Sequence, residues 1–419
     1  MENLKTLALR LFLSYTFRVQ AVAVNQLSKN KNRMSLNVFN EFAATFCSRI
    51  RSSSRGSPVA ANVEMVPFGT WAMELFRLQY AHNEPYRRFC KLRGIAPEQV
   101  RQWDQIPAMP TAGFKELELS VIPPDQRAGV FHSSGTTEHR PSRHFHNAEA
   151  LSTYEASLWP WFARHLVPEP DTLPRALAVL APRRVAVPHS SLAYMFDVIA
   201  HRLACQRSDY FGEVTESSGW TVDLPRTVGF LRQSTDANHS VLLVGTAFSM
   251  VHLLDELVSR GERIQLPAGS RVMETGGYKG RSRALSKAEL QVLIEDRLGI
   301  PNPSIVSEYG MSELSSQAYD RAYEPVAATA WGDPASPSRP DVSRLFRFPP
   351  WARAQVISPE TGEEVGEGET GLIRVFDLAN VYSVMAIQTE DLAVKRGDGF
   401  ELIGRSRIAE PRGCSLMAA

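Results

Sequence analysis

The chain has 419 residues with 46 basic and 45 acidic side chains, a net charge of +1. That length allows two or three packed units with substantial cores, and so balanced a charge excludes bulk attraction to nucleic acid or to an acidic partner. The four cysteines (Cys47, Cys90, Cys205, Cys414) lie far apart with no CxxC pair, which argues against a zinc site or a disulfide framework and for a reducing, cytoplasmic setting.

No apolar run nears the ~20 residues that cross a bilayer. Leu7 to Leu13 is apolar but interrupted by Arg10, unlike the unbroken core of a secretory leader. It reads as a short amphipathic helix or as sequence upstream of a natural start at Met34. Residues 1–60 are expected to be an extension, with a flexible polar loop at 51–58. From Phe68 to Phe89 the apolar residues recur at helical spacing, and Pro85 is expected to break the run. Trp103, Ile106, Pro107 and Pro110 then mark an extended connector.

Phe131-His132-Ser133-Ser134-Gly135-Thr136-Thr137 follows an apolar approach. Backbone N–H groups and short hydroxyls can converge on an anion in such a loop. It lacks Gly-Lys-Ser/Thr at P-loop spacing, so a polyphosphate is expected there without a Walker-type site. A helix is predicted over Ala148 to Phe162, strands over Arg175 to Leu180 and Val241 to Val244, and an amphipathic helix over Phe248 to Val258. His189-Ser190-Ser191 opens another helix with serine capping potential. Strands alternating with helices imply α/β layers.

Two further strands, Arg271 to Thr275 and Ser304 to Tyr309, stop at glycine turns: Gly276-Gly277, and Tyr309-Gly310-Met311-Ser312-Glu313. Ligands in open α/β sheets sit outside the carboxyl ends of the strands. Past a Pro/Ser/Asp-rich stretch at 332–350, short β runs (Gln355–Ile357, Gly371–Phe376, Tyr382–Ile387, Leu392–Val394, Phe400–Ile403) predict a small antiparallel sheet or barrel. Taken singly, each motif has a plainer reading. Glu313 would be an N-terminal helix charge, Asp391 a strand-end turn residue and Arg405 a surface cation.

The order of the five signals carries more: the hydroxyl loop, Gly276-Gly277, Tyr309-Gly310-Met311-Ser312-Glu313, Thr389-Glu390-Asp391, and Asp398-Gly399-Phe400 to Gly404-Arg405. As a set they resemble the adenylate-forming superfamily. The tract Trp103…Ile106-Pro107-Ala108-Met109-Pro110…Phe114-Lys115, the Ser190-Ser191-Leu192 tract and the tail Glu410-Pro411-Arg412-Gly413-Cys414 resemble, more closely, the acyl-protein synthetase (LuxE) family.

That resemblance implies an α/β adenylate-forming core (61–350), a small β subdomain (351–405) and a tail (406–419) bearing Cys414, without the mobile C-terminal domain of larger relatives. It implies ATP and Mg²⁺ as cofactors, and a carboxylic acid, in the leading reading a fatty acid, as substrate. Ser133, Ser134, Gly135, Thr136 and Thr137 would hold the β- and γ-phosphates, and Thr136 and Glu313 the metal. Gly276 and Gly277 would let backbone approach the adenine, Tyr309 would stack on it, and Gly310, Met311 and Ser312 would complete the nucleotide site. Asp391 would bind the ribose hydroxyls, and Arg405 would lie near the ribose-phosphate.

Cys414 would take the acyl group as a thioester and hand it to a reductase or transferase subunit. Nine residues from Arg405, it can reach ~30 Å at ~3.3–3.6 Å per residue, and Arg412 favours its thiolate. Where the superfamily loop continues with glycine and lysine, this chain has Glu138 to Arg143, leaving Arg143 as one candidate for that charge. Two other readings stay open at this level, a CoA ligase of the phenylacetate type and a non-catalytic subunit of the same fold. The acid pocket is expected from Tyr194–Phe196 and Phe248–Met250, whose sizes do not separate a fatty chain from an aromatic or branched acid.

Overall fold

The computed structural model describes residues 36–52, 67–133, 140–168, 173–215, 219–276, 285–322 and 344–405. A helix over 36–52 (α1) leads into α2 (Phe68–His82) and α3 (Glu84–Leu92). The break falls at Asn83, two residues before Pro85, because the Asn83 side chain accepts from the Tyr86 N–H and Pro85 sits in the first turn of α3. There proline forfeits no intrahelical bond. The connector holds a two-residue strand β1 (Met109–Pro110) and a short helix α4 (Gly113–Glu116).

A ribbon of β2 (Gly129–His132) and β3 (Arg143–His146) precedes α5 (Ala148–Leu166), β4 (Ala176–Leu180) and α6 (Ser191–Leu203). Next come β5 (Arg207–Tyr210), the hairpin strands β6 (Gly212–Thr215) and β7 (Gly219–Val222), α7 (Leu224–Asp236), β8 (Val241–Thr246), α8 (Ala247–Ser259) and β9 (Arg271–Thr275). Then follow α9 (Lys287–Leu298), β10 (Ile305–Tyr309) and β11 (Ala318–Tyr319). The last strands are β12 (Ala352–Ile357), β13 (Thr370–Asp377), β14 (Ala386–Arg396) and β15 (Gly399–Arg405).

The larger sheet runs β11-β10-β9-β8-β4-β5, parallel except for β11. Its central strands are buried on both faces, as parallel strands between helical layers must be. Alternate residues go to opposite cores. Ala176, Ala178, Val241 and Leu243 join α7, α8 and α9 on one side, while Leu177, Val179, Leu242 and Val244 join α5 and α6 on the other. Helix α9 is held by a capping box of Ser286 and Glu289 and ends on Gly299 at φ 66°, a left-handed position that glycine occupies without strain.

The smaller sheet is β1-β14-β13-β12, with β15 also on β14. Its core is shared with the N-terminal helices. Phe39, Phe46, Trp71, Phe76 and Tyr86 pack with Trp351, Val375, Phe376 and Ile387. Residues 36–52, read from sequence as part of an extension, are thus built into this core.

The run Tyr382–Ile387 also departs from expectation, since β14 begins only at Ala386. Side chains of α2 and its cap supply the hydrogen bonds a neighbouring strand would give. Gln79 Nε2 donates to the Asn380 and Val381 carbonyls, Gln79 Oε1 accepts from the Met385 N–H, and Asn83 Nδ2 donates to the Ser383 carbonyl. Buried backbone has to be satisfied, but not necessarily by a strand.

Candidate active site

Strands β9 and β10 end side by side, with Thr275 opposite Glu308. The Thr275 hydroxyl donates to Glu308 Oε2. Burial, with the Glu274 charge adding to it and the Thr275 hydroxyl opposing it, pushes the Glu308 carboxyl from 4.5 up to about 7. Beyond it the chain turns at Gly310, where an added Cβ would lie 2.5 Å from Glu308 Oε1. A side chain there would push that carboxyl aside. Gly276, directly after β9, takes a left-handed φ of 70°.

Tyr309 points into the seam between the two sheets. Its ring meets Phe346, Phe348 and Phe400 edge-on, and its hydroxyl donates to Asp391 Oδ2 at 2.9 Å. Burial raises the Asp391 carboxyl, while the Tyr309 hydroxyl and Arg405 pull it back down. Arg405 Nε lies 3.7 Å from Asp391 Oδ1, but its side chain is 80% exposed. That pair therefore adds little to stability.

The turn after β10 is stitched to both neighbouring parts. His144 Nδ1 donates to the Ser312 carbonyl at 2.9 Å, docking the β2–β3 ribbon. Asn380 Nδ2 donates to the Glu313 carbonyl at 2.8 Å, docking the smaller sheet. Asp377, fully buried, accepts from the Ser315 N–H, the Ser316 hydroxyl and the Ala379 N–H. At the ribbon's open end Ser142 N–H donates to Ser133 Oγ at 3.0 Å, and Ser133 N–H to the Ser142 carbonyl. This bond closes the ribbon where the hydroxyl loop begins.

Glu313 is 5% exposed, and one of its oxygens accepts from the Ser312 hydroxyl at 2.9 Å. It makes no ion pair among the described residues. A carboxylate with spare oxygen capacity and no cationic partner fits a hard divalent cation.

The family profile for "Acyl-protein synthetase, LuxE" matches residues 64–321, well over half of the chain. The chain belongs to this family. It is an acyl-activating ligase of the AMP-forming acid–thiol class. Curated relatives include long-chain-fatty-acid–luciferin-component ligases. That of Aliivibrio fischeri is 22% identical over 83% of this chain and 86% of the relative. That of Vibrio harveyi is 20% identical over 81% and 84%. Among solved structures, an open conformation of 2-hydroxyisobutyryl-CoA ligase, in complex with 2-HIB-AMP and CoA, superposes with a TM-score of 0.54. It is 16% identical and covers 79% of this chain and 74% of that one. The same ligase in its thioesterification state gives 0.57 at 14% identity, covering 83% and 69%. The shared fold is that of adenylate-forming enzymes.

In this chain Gly276, Tyr309, Gly310, Met311, Ser312 and Glu313 sit at and just past the carboxyl ends of β9 and β10. Asp391 joins them through the Tyr309 hydroxyl with Arg405 beside it, and Ser133 stands at the end of the ribbon that His144 docks on Ser312. Ser134, Gly135, Thr136, Thr137, Gly277 and Cys414 lie outside the described residues.

Two expectations need correction. No helix follows Glu313, since residues 310–317 form turns ahead of β11, so its charge is not a helix cap. The two stretches expected to line one acid pocket also separate. Tyr194 and Phe196 pack with Phe131 and Tyr154 on one face of the sheet, whereas Met250 is buried in the core on the other. Arg143 is held near Glu118, 3.6 Å from Nη1 to Oε1. Sequence reading assigned no role to Glu308, His144, Asp377 or Asn380. The one available signal was an acid in the next-to-last position of a short strand, in Glu308 and again in Glu274.

Proposed function

We propose that this chain is an ATP-dependent long-chain acyl-protein synthetase. It activates a fatty acid as the acyl-adenylate, captures the acyl group on Cys414 and delivers it to a partner reductase or transferase. The observation that carries the reading is the convergence of Tyr309, Asp391, Arg405 and Glu313 at one mouth of the sheet, with the hydroxyl loop rooted beside them through the His144–Ser312 bond. The names of the curated relatives support the choice of acid.

A carboxylate is a poor acyl donor because its leaving group would be oxide. One of its oxygens attacks the α-phosphorus of ATP in line, the bond to the bridging oxygen breaks, and pyrophosphate leaves. Catalysis of that step is positioning and charge neutralisation. Asp391, oriented by the Tyr309 hydroxyl, accepts from the ribose hydroxyls. Arg405 covers the open side toward the phosphate, and Ser133 to Thr137 cradle the β- and γ-phosphates. Glu313, with Thr136, would hold Mg²⁺, which when bound neutralises phosphate charge. In the second step the Cys414 thiolate attacks the acyl carbonyl, the acyl–phosphate bond breaks, and AMP carries off the electron pair.

Mass spectrometry of the chain incubated with a long-chain fatty acid, ATP and Mg²⁺ tests both steps. The expected product is one acyl group on the peptide containing Cys414, absent in Cys414→Ser, with acid-dependent pyrophosphate exchange retained in that variant. Exchange without tail acylation removes Cys414 from the mechanism. Acyl-CoA formation that survives Cys414→Ser identifies a CoA ligase instead.

A further inference from the structure

A cavity of about 370 Å³ lies away from this site, between the end of α3, the 103–110 connector and β13–β14. Its floor is one row across the smaller sheet, since Pro110 pairs with Gln388 and Gln388 with Arg374. Ile106, Pro107 and Ala108 make an apolar wall, Arg93 and Arg374 bring two guanidinium groups, and Asp104 lines the same space. None of the residues proposed to bind nucleotide lines it.

The cations are fixed but not neutralised. Arg374 Nε donates to Gln388 Oε1 at 3.0 Å, and Gln388 is itself held by its Nε2 donating to the Ile373 and Thr389 carbonyls. This leaves both terminal nitrogens of Arg374 without an acceptor among the described residues. Arg93 lies over the Phe89 ring at 4.5 Å, a contact that orients a guanidinium without discharging it. Neither arginine makes an ion pair among the described residues. Burial and the like charge of Arg93 both depress the Arg374 pKa, a cost that a bound anion would offset. Asp104 meets the cavity from the connector, and its Oδ2 accepts from Gln102 Nε2 at 3.1 Å.

We propose that this cavity binds a small phosphate monoester, its phosphate on Arg374 and Arg93 and its organic part in the space beside Ile106, Pro107 and Ala108. Two guanidinium groups match the roughly −1.5 to −2 charge of a phosphate monoester better than the single charge of a carboxylate. The volume suits a sugar phosphate and falls within the ~300–1,000 Å³ of small-molecule pockets.

Titration calorimetry of the full chain with ribose 5-phosphate tests this, with inorganic phosphate and ribose as controls. One saturable site per chain is expected, weakened about tenfold or more in Arg374→Gln and in the exposed Arg93→Gln. Asp391→Asn is expected to change neither the affinity nor the number of sites. Several results would overturn the assignment. They are no saturable binding up to about 10 mM, arginine variants that bind like the parent, binding lost in Asp391→Asn, or inorganic phosphate binding as tightly as the ester. A phosphoserine peptide binding more tightly than ribose 5-phosphate would also overturn it, in favour of a protein ligand.

Discussion

Replacing Glu308 with glutamine should make stability less dependent on pH, in a direction the structure dictates. The carboxyl goes from 4.5 in the open chain to about 7 when buried beside Glu274. The folded state therefore holds this proton more tightly than the unfolded state does. The stabilisation it brings is fully present below about pH 4.5 and is lost as pH rises through 7. At about 1.4 kcal/mol per pH unit the whole swing is about 3 kcal/mol. Glutamine is neutral at every pH, of the same shape, and keeps an oxygen for the Thr275 hydroxyl. Urea unfolding of parent and Glu308→Gln at pH 5, 6, 7 and 8 should show near-equal stabilities at pH 5. The variant should then gain steadily, reaching about 2–3 kcal/mol at pH 8. A difference that stays constant over that range would refute the buried, proton-holding carboxyl, and so would a variant that is less stable at pH 8.

The acid limb should have the opposite sign. Burial pushes the His165 imidazole from 6.5 down to about 4, so its contribution is lost as pH falls through that interval, and His165→Phe should flatten the loss between pH 6.5 and 4 by about 3 kcal/mol. Tyr309→Phe removes the donor to Asp391, and a bond of that charged type is worth about 1.5–3 kcal/mol. Pyrophosphate exchange should show a rise in the KM for ATP of about tenfold or more. Asp377→Asn leaves one oxygen where two receive the Ser315 N–H, the Ser316 hydroxyl and the Ala379 N–H. A loss of about 2–3 kcal/mol in urea unfolding is expected; an unchanged midpoint would show that this carboxylate does not tie the β10–β11 turn to the smaller sheet.

Much of the fold was legible along the chain because local forces set it. The apolar runs Ala176–Leu180 and Val241–Val244 have no face that water could wet, so they become central parallel strands. Ser286 with Glu289, and Gly299 twelve residues after Lys287, bracket α9 before any tertiary contact forms. The strands β5, β6 and β7 were not legible, because Arg207–Tyr210 carries polar residues at an edge where only the neighbour β4 recruits it. Glu313 misled in the same way. Acid after a glycine turn suggests a helix start, yet the Asn380 and Asp377 side chains bond the 313–316 backbone and hold it as a turn.

The sequence by itself determined which chemistry the chain carries. Residue type and order around Gly276, Tyr309 and Asp391 are properties of the chain, and they persist whatever surrounds them. Only the tertiary structure decided that Tyr309 bonds Asp391 across 82 positions, that His144 anchors Ser312, and that Glu308 keeps a proton near neutral pH. Those facts depend on dielectric surroundings and on donors from distant segments, which no local pattern encodes until both sheets have closed over them.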